Sequence, residues 1–88
     1  MHESDLILLN KFKGMSLTTE NIKVFDKAVK DIKTKIRFEM DKELGVLKSI
    51  ATTISEVEYN EQYGIIKTKC KLVLASLQAN VNDIIDSW

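Results

Sequence analysis

The chain has 88 residues with no proline, three glycines and one cysteine, and thirteen basic residues balance thirteen acidic ones. This composition excludes the collagen-like, Pro/Gly-rich disordered and disulfide-scaffold classes. The scarcity of turn residues also argues against a β-sandwich or barrel, so the sequence predicts one all-α domain spanning residues 1–88.

The first predicted element is a short N-terminal helix at about 4–13. Ser4 is a candidate N-cap, and Asp5 suits the positive start of a helix. Gly14 lies where a C′ glycine ends a helix. Because ten residues are only marginally helical alone, we expect this helix to pack against the rest of the chain.

The second predicted element is a long helix at about 18–53. Thr18 is its candidate N-cap, and Leu17 and Ile22 can form a hydrophobic staple across the start. From there apolar residues recur every three or four positions, which predicts one packed seam with a phase drift in its middle. The seam comprises Ile22, Phe25, Val29, Ile32, Ile36, Met40, Leu44, Leu47, Ile50 and Ile54.

The third predicted element is a second long helix at about 55–88. Its apolar residues also recur at spacings of three and four, and strand-like alternation never persists. This seam comprises Tyr59, Tyr63, Ile66, Cys70, Leu74, Leu77, Val81, Ile84 and Trp88.

Two overlapping capping boxes predict the boundary between the long helices. They are Thr53/Glu56 and Ser55/Glu58, and each is typical of a helix start. A break at 52–55 gives two arms of roughly 34 residues each, which would form a long antiparallel helical hairpin.

Two other arrangements stay open from the sequence. The glycines themselves could be the breaks, leaving 46–63 as a separate helix, or the chain could form an unbroken rod of about 70 residues. In the hairpin, Gly45 and Gly64 lie about ten residues either side of the tip, where they are expected to let the two helices approach closely.

Charge is distributed unevenly along the chain. Residues 11–37 carry a net charge of +5 and residues 38–63 carry −4. A basic stripe of helical spacing indicates a possible electrostatic contact for an acidic partner or for phosphates. The alternative is a solvated helix face, which the near absence of arginine and of interleaved aromatic residues favours. The stripe comprises Lys23, Lys27, Lys30 and Arg37.

The residues that usually carry catalysis are scarce. His2 is the only histidine and Cys70 the only cysteine, so no zinc-site spacing and no Glu-x-x-His metal pair exists. Cys70 lies on an apolar seam, where a buried thiol is the ordinary expectation. The sequence therefore predicts a protein that is not an enzyme and needs no cofactor, metal or small-molecule substrate.

The apolar face is wider than a two-helix seam requires. Further apolar residues lie beside the seams: Ile7, Leu8, Val24, Phe38, Val46, Ile65, Leu72, Val73 and Ile85. We therefore expect the hairpin to complete a helical bundle by association with itself or with another protein. Whether Trp88 is docked or frayed stays open. The candidate contact residues are Phe25, Ile32, Ile36, Tyr63, Ile66, Leu74, Leu77, Val81, Ile84 and Trp88.

These features predict a helical protein–protein interaction module, such as an adaptor, a small chaperone or an assembly subunit of a secretion system. In length and pattern alone the chain resembles small secretion-system proteins, small helical chaperones and bacteriocin immunity proteins. The Trp-x-Gly turn of the first group is missing, because Trp88 is the only tryptophan, so the resemblance carries over no site residues.

Two alternative functions remain. One is a small inhibitor or immunity protein that binds a toxin or an enzyme, and the other is a nucleic-acid-binding regulator that uses the basic stripe. Zero net charge does not favour nucleic acid. With no stretch of about 18 apolar residues and no signal peptide, the sequence predicts no transmembrane segment and a cytoplasmic location, with export by a leaderless route left open.

Overall fold

The computed structural model describes residues 1–88 and contains three helices. They are α1 (Glu3–Asn10), α2 (Thr19–Ser49) and α3 (Glu56–Asp86). The two long helices pack against each other as a hairpin, and α1 packs on both of them. The predicted all-α fold, a long hairpin with a short N-terminal helix, is confirmed.

The start and the end of α1 both differ from the prediction. The Ser4 cap was wrong, because the carbonyl of His2 already accepts the first helical hydrogen bond from the N–H of Leu6. His2 is the N-cap residue, and its side chain makes no capping hydrogen bond. At the other end the helix stops at Asn10 and tightens into turns that finish at Gly14, whose φ of +75° suits glycine.

Local caps set the start of each long helix, as the sequence predicts. The Thr18 hydroxyl accepts a hydrogen bond from the N–H of Asn21 at 3.1 Å. In the same way the Ser55 hydroxyl accepts from the N–H of Glu58 at 3.1 Å. Each cap satisfies one of the N–H groups that a helix start leaves without a partner.

The hairpin turn occupies residues 50–55, so each arm has 31 residues rather than roughly 34. The Thr53/Glu56 box does not cap a helix, because the Thr53 hydroxyl donates instead to the carbonyl of Ile50 at 2.7 Å. That bond belongs to the turn.

The two other arrangements considered from the sequence are wrong. Gly45 and Gly64 lie in the interiors of α2 and α3, and the turn at 50–55 breaks the rod. The expected close approach of the two helices at the glycines is also wrong. A Cβ atom built on either glycine would meet no atom within 4 Å, so both face open space.

We expect Ser55→Ala to lower the free energy of unfolding by about 1 kcal/mol, because the first turn of α3 loses its capping acceptor. Thermal unfolding followed by circular dichroism measures this change. Thr53→Ala is the matched control and should cost less than about 0.5 kcal/mol. Equal effects of the two substitutions would contradict the assignment of Ser55 as the cap.

The hydrophobic core lies in one half of a molecule that measures 54 × 19 × 17 Å. In this half, called the base, α1 completes a three-helix core. The tip half, residues 40–66, has only two helices, and its one buried residue, Leu47, lies outside the main cluster. The cluster comprises Leu9, Phe12, Phe25, Val29, Ile32, Ile36, Cys70, Leu77, Val81 and Ile84.

The C-terminal residue is docked onto this base. The indole Nε1–H of Trp88 donates to the carbonyl of Phe12 at 2.9 Å. Its ring meets Phe25 edge-on, with centroids 5.0 Å apart, and Phe25 also contacts Phe12 at 5.2 Å. Trp88 is therefore docked rather than frayed, because the rings of Phe12, Phe25 and Trp88 join the C-terminus to the start of α2 and to the segment after α1.

Candidate interaction surface

The structure places most of the predicted contact residues inside the chain. Ile66, Leu74 and Trp88 are half-buried, and Tyr63 is 40% exposed. The remaining six form part of the intramolecular core, where α2 and α3 cover each other. These six are Phe25, Ile32, Ile36, Leu77, Val81 and Ile84.

A second apolar face lies on the outside of α3. Val57, Ile65 and Leu72 are 76%, 55% and 66% exposed. At 3.6 residues per turn they fall within about 80° of the helix circumference, on the side opposite the core residues of α3. With Gly64 and Thr68 between them, they form what we call the outer α3 face.

The outer α3 face is open, and it combines apolar residues with the charged Glu61 and Lys69. A shallow hollow of about 670 Å³ lies on it, lined by Gly64, Ile65, Thr68 and Leu72 together with Glu61, Lys69 and Val73. No other element of the chain covers this hollow, so the face is free to meet a partner. The sequence singled out Ile65 and Leu72 as lying beside the seam and missed Val57, although the spacings of eight and seven residues were a usable signal.

The exposed apolar residues of α2 are more scattered. Val24, Phe38 and Val46 are 52%, 63% and 64% exposed, but they are fourteen and eight positions apart. The ammonium group of Lys42 lies 5.8 Å from the centre of the Phe38 ring. Since single exposed apolar residues are common on proteins, α2 presents a weaker candidate surface than α3.

A groove of about 290 Å³, lined by both apolar and charged side chains, lies where the N-terminus of α1 meets α2 and α3. Asp5 is only 7% exposed and is paired with Lys35. Three polar contacts around the groove hold α1 against α2 and α2 against α3. They are His2–Glu39 at 2.6 Å, Lys35–Asp5 at 3.1 Å and Lys69–Glu43 at 2.8 Å.

The hydrogen bond from His2 lowers the pKa of the Glu39 carboxyl below its ordinary value of 4.5, against an opposing effect of desolvation. We expect His2→Ala to return the pKa of Glu39 towards that value, as measured by NMR titration. A lowered carboxyl pKa stabilises the fold above the ordinary value, and this contribution is lost as the pH falls through the lowered value. The control Ser4→Ala should leave the pKa of Glu39 where it is in the unmodified chain, and an unmoved pKa in the His2 variant would contradict the assignment.

The groove does not assemble a nucleophile. Cys70 and His2 both line it, but Cys70 is only 8% exposed, and His2 Nε2 bonds to Glu39 rather than to the thiol. No group of three histidine, cysteine, aspartate or glutamate side chains is placed to hold a metal ion.

The four residues of the predicted basic stripe are all exposed. Lys30 pairs with Asp26 at 2.9 Å, and this hydrogen bond raises the pKa of Lys30. Lys23, Lys27 and Arg37 make no ion pair within the chain. The role of the stripe in binding an acidic partner or nucleic acid stays a prediction.

Comparison with known proteins found no family model, no curated protein and no solved structure that matches this chain. None of the three helices has a stretch long and apolar enough to cross a membrane. What the protein does is therefore inferred from its own surfaces.

Proposed function

We propose that this protein is a non-enzymatic helical protein–protein interaction module that binds its partner through the outer α3 face. The observation that carries the proposal is the exposure of Val57, Ile65 and Leu72 along one side of a regular helix. These side chains contribute nothing to the core, which lies on the opposite side of α3. Exposed apolar surface of this kind marks interaction sites in folded proteins.

Two further observations support a binding role rather than a catalytic one. The only histidine lies on the surface, where its ring is hydrogen-bonded to Glu39. The only thiol is buried in the core cluster, whereas reactive cysteines are partly exposed in electropositive surroundings. An adaptor, a small chaperone and an assembly subunit all fit a module of this shape.

Site-specific photo-crosslinking in cells that produce the protein tests the proposal. A benzophenone amino acid replaces Leu72 on the outer α3 face, and the matched control carries it at Lys27 on α2. We expect the Leu72 probe to form discrete covalent adducts, identified by mass spectrometry as protein, and the Lys27 probe to form none. No protein adduct from Leu72 would contradict the proposal.

The same pair of probes separates the alternative functions. Adducts from Lys27 but not from Leu72 would favour the charged surface, and with it the inhibitor or the nucleic-acid-binding function. A toxin or an enzyme attached at Lys27 would identify the inhibitor, and attached nucleic acid would identify the regulator.

A further inference from the structure

The chain exposes more surface than a monomer of its mass usually does. Its accessible surface is 6292 Å² for 10.1 kDa, against about 5,300 Å² for a typical monomer of that mass. The excess of about 1,000 Å² is larger than the roughly 800 Å² that each partner contributes to a standard interface. If roughly 800 Å² of this chain were buried in an interface, the chain would still expose as much surface as a typical monomer of its mass.

Packing within the chain does not explain Gly64. This residue lies inside α3, a little over two turns from its start, although glycine is among the poorest helix formers. A Cβ atom at this position would meet nothing within 4 Å, so no neighbouring element of the chain requires a glycine here. The close approach of a helix from another molecule would require one.

The charges along the outer α3 face change sign on either side of Gly64. Glu61 lies on the N-terminal side, and Lys69 and Lys71 lie on the C-terminal side. Glu61 and Lys71 make no ion pair within the chain. A second copy aligned parallel would place like charges together, whereas an antiparallel copy places each acidic end beside a basic one.

We propose that the outer α3 face binds a second copy of this chain, antiparallel, about a two-fold axis near Gly64 and Ile65. The inference rests on the proposed function and names its partner. About this axis Leu72 of each copy lies level with Val57 of the other, and the two Gly64 residues meet beside the two Ile65 residues. The contact spans residues 56–73 of each α3, about 27 Å.

The same axis matches the charges. Glu61 of one copy lies within about 5 Å, along the helix axis, of Lys71 of the other. Lysine and glutamate side chains are long enough to meet across that offset. Along the helix axis the face therefore sets apolar residues against apolar residues and acidic residues near basic ones.

Sedimentation equilibrium of the full chain across the micromolar range tests the dimer. We expect a reversible monomer–dimer equilibrium. Gly64→Leu should weaken it at least tenfold, because the new side chain fills the space at the axis, while Tm measured in dilute solution rises because leucine is a better helix former. Gly45→Leu is the matched control on α2, and it should raise Tm and leave the dimerisation constant unchanged.

Charge exchange tests the antiparallel orientation. Glu61→Lys and Lys71→Glu should each weaken the dimer about three- to tenfold, and the double variant should recover most of the loss. No recovery in the double variant would contradict the orientation. A dimer that survives Gly64→Leu unchanged would contradict the face.

The dimer and the proposed function can fail separately. If the chain stays monomeric throughout while the Leu72 probe attaches to a different protein, the second copy is overturned and the interaction module stands. If the chain stays monomeric and the probe attaches to nothing, both are overturned. If the probe links two copies of the chain, both are supported.

Discussion

Replacing Ile84 with alanine is expected to lower the free energy of unfolding by about 2–5 kcal/mol. The side chain is 1% exposed within the core cluster, so its removal loses apolar burial and leaves a cavity. For a domain of this size each kcal/mol corresponds to about 4–8 °C in Tm. Thermal unfolding followed by circular dichroism should therefore show a large decrease.

Ile85→Ala is the matched control for Ile84→Ala. Ile85 is 47% exposed, so the same change there removes little buried surface and should cost less than about 1 kcal/mol. Ile84 and Ile85 are adjacent in the sequence, and their side chains point about 100° apart around α3. Similar losses at the two positions would show that α3 is rotated about its axis relative to the arrangement described above.

Trp88→Ala is expected to have the second largest effect, about 2–4 kcal/mol. The ring is half-buried, so we expect a somewhat smaller loss than the roughly 3–5 kcal/mol of a fully buried tryptophan. The substitution removes the edge-on contact with Phe25 and the hydrogen bond to the carbonyl of Phe12. Urea unfolding monitored by circular dichroism measures the change.

Trp88→Phe separates the two contributions. Phenylalanine keeps a ring against Phe25 but loses the Nε1–H donor and part of the ring area, so it should cost less than alanine, about 1–2 kcal/mol. A Trp88→Ala chain as stable as the unmodified one would show that the C-terminal end of α3 does not dock on the base.

The start of each long helix could be predicted because its cause is local. Thr18 and Ser55 each act on an N–H group three residues away, so the pattern that specifies them lies within one turn of sequence. Most of the two seams followed from helical spacing in the same way, but the seam residues Ile22, Ile50 and Tyr63 are 42%, 43% and 40% exposed.

The packing of α1 against the rest of the chain was expected, but the face by which it docks could not be predicted. Four apolar residues follow one another at Leu6–Leu9, and they face in all directions around a helix. Only the positions of α2 and α3 decide that Leu9 is buried while Ile7 and Leu8 are exposed. The same ambiguity concealed the outer α3 face, because α3 carries two apolar stripes and only one of them can meet α2.

The uneven thickness of the core has a dynamic consequence. Three helices and an aromatic cluster hold the base, whereas the tip has two helices and Leu47 as its single buried side chain. Segments with few buried contacts open at lower free energy than the rest of a protein. We therefore expect α2 and α3 to separate locally at the tip while the base stays folded.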